Sequence, residues 1–94
     1  MSNLKTFVVE DNTVSYRSDS LYFETRGNDF GLFQIVGLGE GDSALLQVRI
    51  SGDFPFETIM EPTASTATRV PMYPEFRVIT FNESGSAITA AIHV

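Results

Sequence analysis

The sequence predicts an all-β protein: a single antiparallel β-sandwich, jelly-roll or immunoglobulin-like, of about seven strands. Three observations carry this. Aromatic and β-branched residues come in short runs separated by clusters of Gly, Asn, Asp, Ser and Pro, the punctuation of a sheet protein. Within most runs apolar residues recur at every second position, the period that puts them on one side of a strand. And 94 residues, 43 % of them hydrophobic, suffice for one core and not for two. An isolated sheet would leave Phe7, Phe23, Phe33, Val48, Ile79 and Ile88 wet, so two sheets are expected to pack face to face.

Taken in order, Thr6-Phe7-Val8-Val9-Glu10 is the first candidate strand, stopped by the turn-forming pair Asp11-Asn12. Leu21-Tyr22-Phe23-Glu24-Thr25 alternates Leu21, Phe23 and Thr25 against Tyr22 and Glu24. After the turn chemistry of Arg26-Gly27-Asn28-Asp29, residues 30 to 36 (FGLFQIV) form a nearly continuous apolar run, expected to be a central strand covered on both faces. Gly31 inside it marks a bulge or a close backbone approach. Three glycines within residues 37 to 43 then turn the chain into Ala44-Leu45-Leu46-Gln47-Val48-Arg49-Ile50, completing a hairpin with Leu46, Val48 and Ile50 on the dry side.

Ser51-Gly52-Asp53 leads to Phe54-Pro55-Phe56-Glu57-Thr58-Ile59. Pro55 cannot donate to a ladder, so this strand lies at an edge or starts just after the proline. Residues 61 to 74 carry three of the four prolines and are expected to be a long Pro-rich loop. Glu75 to Phe81 resumes the alternation, with Phe76, Val78 and Thr80 against Arg77, Ile79 and Phe81. Asn82-Glu83-Ser84-Gly85 turns it. The closing run, residues 86 to 94, puts Ile88, Ala90, Ile92 and Val94 on one face.

Composition narrows function. No apolar run approaches the roughly 18 residues of a membrane span. The start, Met1-Ser2-Asn3-Leu4-Lys5, lacks a secretory signal's apolar stretch, so a soluble protein with no membrane partner is expected. With no Cys there is no disulfide, thiolate nucleophile or Cys-built metal site. Six Lys and Arg against twelve Asp and Glu give a net charge of -6, the wrong sign for neutralising phosphates, so no nucleic-acid partner is expected.

Little chemistry is legible. His93, the single histidine, falls in the outward phase of the last strand and reads as a solvated or interface residue. Glu40, Asp42 and Asp53 sit in two turns flanking one strand, and Asp11 and Asp19 lie near the start. The sharp reading is calcium, but the oxygen donors are too sparse, and soluble turns suffice to explain them. Gly37, Gly39 and Gly41 suggest a phosphate cradle only superficially, since neither a helix nor a Lys follows. No G-x-S-x-G elbow occurs, and Asn82-Glu83-Ser84 matches the glycosylation pattern by chance. No catalytic residue, metal or cofactor is assigned, and the chain is expected not to be an enzyme.

The Pro-rich segment is the most informative surface feature. Arg69, Val70, Met72 and Tyr73 are interface-type residues on a proline-stiffened stretch that loses little entropy on docking. It either lies on a neighbouring subunit or folds back on its own sandwich.

Three stretches, Leu46 to Phe54, Tyr73 to Thr80 and Ser84 to Ile92, together resemble small β-sandwich virion proteins of tailed bacteriophages, the head decoration or cement proteins and tail accessory modules. The resemblance covers about half the chain. It implies a non-enzymatic structural protein located in the virion, homotrimeric, that decorates or cements a capsid or tail lattice through many weak protein contacts. The alternative is a carbohydrate-binding or host-recognition module using Tyr16, Tyr22 and Asn28.

Overall fold

A computed structural model describes residues 4–10, 14–24 and 29–94. The period-two pattern is realised most cleanly at β4 (Phe30–Val36), β5 (Ser43–Arg49) and β8 (Glu75–Phe81). Phe33, Ile35, Ala44, Leu46, Phe76 and Val78 all point into one core, which also takes in Phe7, Ile88, Ala90 and Ile92. Each of the larger ones, the Phe, Ile, Leu and Val side chains, contributes roughly 1.5 to 3 kcal/mol by leaving water, and this is what obliges the strands to form two layers.

The remaining strands are β1 (Leu4–Phe7), β2 (Ser15–Arg17), β3 (Leu21–Tyr22), β6 (Glu57–Met60), β7 (Thr66–Pro71) and β9 (Thr89–His93). One sheet has the order β1-β9-β4-β7. The other runs β2-β8-β5-β6, with β3 also paired to β8. All pairings are antiparallel. The fold is therefore all-β and sandwich-like. β2 and β3 lie end to end along β8, and Ser18 joins them: its N–H donates to the Val78 carbonyl and its hydroxyl accepts from the Val78 N–H. Counted as one interrupted strand, they leave eight. The chain then changes sheet at every connection except β5 to β6, which is jelly-roll rather than immunoglobulin-like connectivity.

Four expectations need correction. Ile50, expected on the dry side with Leu46 and Val48, is 59 % exposed, because it lies past Arg49, the last residue of β5. β4 is not covered on both faces: Phe30, Leu32 and Val36 are 48 %, 44 % and 40 % exposed, because in a two-layer fold each strand has one inner side only. Residues 61 to 74 are not one long loop. Thr66, Thr68 and Val70 alternate with Ala67, Arg69 and Pro71 as β7, which pairs with the edge of β4 that β9 leaves open. Pro71 fits there because β7 is itself an edge strand. Nine short strands, not seven, are found among the described residues: β2 is only three residues long, and Pro62, Pro71 and Pro74 mask the alternation of β-branched Thr66, Thr68 and Val70 in β7. Gly31 is the expected close approach: a Cβ there would sit 2.7 Å from the Met72 sulfur and 3.1 Å from the His93 carbonyl oxygen.

Candidate functional site

The outer face of the four-stranded sheet can be read off its register. Leu4 and Thr6 of β1 share this side with Thr89, Ala91 and His93 of β9. β4 adds Phe30, Leu32, Gln34 and Val36, and β7 adds Ala67, Arg69 and Pro71. All are exposed except the partly covered Ala91. None of these twelve positions is a carboxylate, on a chain with twelve Asp and Glu and a net charge of -6. Asp29 stands just before β4, bordering a shallow depression with Phe30, Arg69 and His93. The Arg69 guanidinium lies over the Phe30 ring, 4.4 Å from its centroid, so the one permanent cation of the face covers an aromatic instead of standing free. One cross-strand row reads Leu4, His93, Leu32, Arg69.

Of the four predicted interface residues, the fold keeps Arg69 on this face and removes two. Val70 and Met72 are 4 % and 9 % exposed and belong to the chain's own core, because inward phase on β7 turns Val70 toward Phe33 and its neighbours. Tyr73 is half-buried, with its ring edge-on to Phe76 at 6.0 Å between centroids. Arg69 is exposed on a face it shares with Phe30, Leu32 and Val36, whose signal in the sequence is the apolar outward phase of β4.

The outer face of the other sheet is tied up in its own polar network. Arg49 grips Glu75 with two hydrogen bonds of 2.9 and 3.0 Å, and Ser20 donates a third to the same carboxylate. Arg49 beside it, helped by the Ser20 hydroxyl, holds the buried Glu75 carboxyl below the usual glutamate range. Arg77 donates to Gln47 at 2.8 Å, and Gln47 donates to Thr58 at 3.0 Å. The Phe56 ring is contacted by both guanidiniums, Arg49 at 4.2 Å and Arg77 at 3.7 Å. Charged, amide and aromatic side chains thus contact one another across this part of the sheet.

The acidic turns resolve into structure. Asp42 is buried, and its two oxygens accept from the backbone N–H groups of Gly39, Glu83 and Ser84 at 2.7 to 2.8 Å, and from the Ser84 hydroxyl. The Ser84 hydroxyl first, with the three N–H groups, holds the Asp42 carboxyl down to about 2 against the opposing effect of burial. Asp42 therefore locks the β4–β5 turn onto the β8–β9 turn. Asp53 lies beyond the opposite end of β5, so the three carboxylates considered for calcium are not brought together. Asp11, Arg26 and Asn28 lie outside the described residues, and among the described ones no three His, Asp or Glu side chains cluster as metal ligands. Gly39 donates its N–H to Asp42, so this N–H of the glycine-rich loop is already used within the fold.

A cleft of about 380 Å³ opens at one end of the sandwich beside edge strand β6, walled by Val48, Ile50, Phe54, Pro55, Ile59 and Tyr73. Tyr16 and Tyr22 do not share a platform: they pair with Thr80 and Glu75 of β8, which face opposite sides of the sheet. Comparison with protein-family models, with curated proteins and with solved structures finds no match to this chain.

Proposed function

We propose that this chain is a non-enzymatic structural protein that self-associates and decorates or cements a viral capsid or tail, with its place in the virion and other protein chains as its partners. One observation carries the reading: an exposed sheet face whose twelve outward positions are mostly apolar or small, with Gln34, Arg69 and His93 among them and no carboxylate, on an otherwise acidic protein. Apolar patches of this size on a protein surface are often functional, and interface cores concentrate apolar and aromatic groups and exclude acidic ones. The jelly-roll connectivity is compatible with it, being an architecture of viral coat domains, although lectins use it too and architecture alone assigns no function.

The carbohydrate reading gains no support from its named residues, since Tyr16 and Tyr22 face apart. In this proposal neither nucleic acid nor membrane is a partner. The test is mass spectrometry of density-gradient-purified particles from the source that encodes the chain. Stoichiometric recovery with the major coat protein, retained through the gradient, is the expected result. Absence of the chain from purified particles overturns the virion assignment.

A further inference from the structure

We infer that the outer face of sheet β1-β9-β4-β7 packs against the same face of a second copy, giving an isologous pair in place of the three-fold arrangement that the resemblance implies. This rests on the self-association in the reading above and names its surface. The occupant follows from charge. Two copies of a -6 chain repel wherever their carboxylates meet, and this face presents none at its twelve outward positions, with Asp29 at its border, so like copies can meet there without setting carboxylate against carboxylate across the face.

Its layout suits a two-fold axis. The centre of the sheet falls between β9 and β4, where Ala91 pairs with Gln34 and His93 with Leu32. Small Ala91 lets the second sheet come to the ~10 Å separation of packed sheets. Arg69 sits on edge strand β7, at the rim, where its charge stays in water while its stem and guanidinium cover Phe30. A single self-complementary patch of this kind closes as a pair.

Size sets the strength. Four strands about 4.8 Å apart and seven residues at about 3.3 Å each span a footprint on the order of 450 Å². That is below the roughly 800 Å² per partner of a standard stable interface. The pair is therefore expected to be weak and reversible.

Sedimentation velocity on the full chain from about 5 to 500 µM should show a reversible monomer–dimer equilibrium. Leu32→Lys, which sets like charges against each other near the axis, should weaken it at least tenfold with unchanged circular dichroism and melting temperature. Ile59→Lys in the end cleft should leave it unaltered. Because the chain has no cysteine, Ala91→Cys should cross-link to itself under mild oxidation and Thr58→Cys, on the other sheet, should not. A wild-type monomer at every concentration, or a trimer, overturns the pair. Association that survives Leu32→Lys and gives no Ala91→Cys cross-link overturns this face while leaving self-association standing. Recovery from particles is a separate measurement and decides the virion reading independently.

Discussion

Asp42 binds Ser84 twice, through the backbone N–H at 2.8 Å and through the hydroxyl, and in doing so fastens the turn after β4 to the turn after β8. The bond joins residues 42 positions apart, so it closes one end of the sandwich. Because the folded carboxyl sits at about 2, below its ordinary value of 3.8, the charged form is the one the fold favours. Its contribution is complete above about pH 4 and is lost as pH falls from there toward 2. Asp42→Asn should lower the melting temperature at pH 7 and flatten its acid dependence between pH 4 and 2. A variant with the same acid limb as wild type would show that Asp42 is not the group responsible.

Thr80 is fully buried, and its hydroxyl oxygen has no hydrogen-bond partner. Val has the same shape without the polar atom. Thr80→Val should therefore stabilise the protein by about 1 kcal/mol, a rise of roughly 4 to 8 °C in midpoint for a domain of this size. Thermal unfolding by circular dichroism reads it directly, and a fall in midpoint would mean that the hydroxyl is satisfied in solution.

Gly37 has φ +88°, and a Cβ there would lie 1.9 Å from the Ala87 carbonyl oxygen. Both the backbone and the neighbour forbid a side chain. Gly37→Ala should cost about 3 kcal/mol. Gly52 has nothing within 4 Å of its virtual Cβ, so Gly52→Ala should be neutral or slightly stabilising, by less than about 1 kcal/mol. Urea titration of the two variants side by side tests the contrast.

Substitutions along β7 should split by phase. Val70→Ala opens a hole beside the core and is expected to cost about 2 kcal/mol, whereas Arg69→Ser on the open face should cost less than about 1 kcal/mol. Deleting residues 62 to 72 would be harmless for a free loop. Here it removes an edge strand and two core side chains, so loss of cooperative unfolding is expected. A truncated chain with native circular dichroism and melting would contradict the placement of β7.

Glu75 is buried and held by Arg49 and Ser20 across the mouth of the second sheet. Glu75→Gln keeps the shape but weakens two charge-assisted bonds, and should cost about 1 to 3 kcal/mol. Its carboxyl lies below the usual glutamate range, so wild-type stability from this pair is present at neutral pH and falls as acid protonates it. Double substitution with Arg49→Met should recover part of the loss, and additive losses would mean the pair is not coupled.

The amino-acid sequence by itself determined that the chain is a sheet protein and which side of each long strand turns inward. Phe33 and Ile35, Leu46 and Val48, Phe76 and Val78, and Ile88, Ala90 and Ile92 are all buried as their alternation requires. That information is local, because successive side chains on a strand alternate whatever the partner is. What only the tertiary structure decided is the fate of the other side. Phe30, Leu32 and Val36 read as buried residues, yet they are exposed, because one strand's pattern cannot count the layers that will cover it. The same holds for β7. Thr66 to Pro71 becomes a strand because β4 has an unpaired edge beside it, and backbone hydrogen bonds are supplied by whichever segment the fold brings alongside. Val70 and Met72 moved from candidate contacts into the core for that reason, and the candidate interface moved to the apolar face that β4 and β7 share.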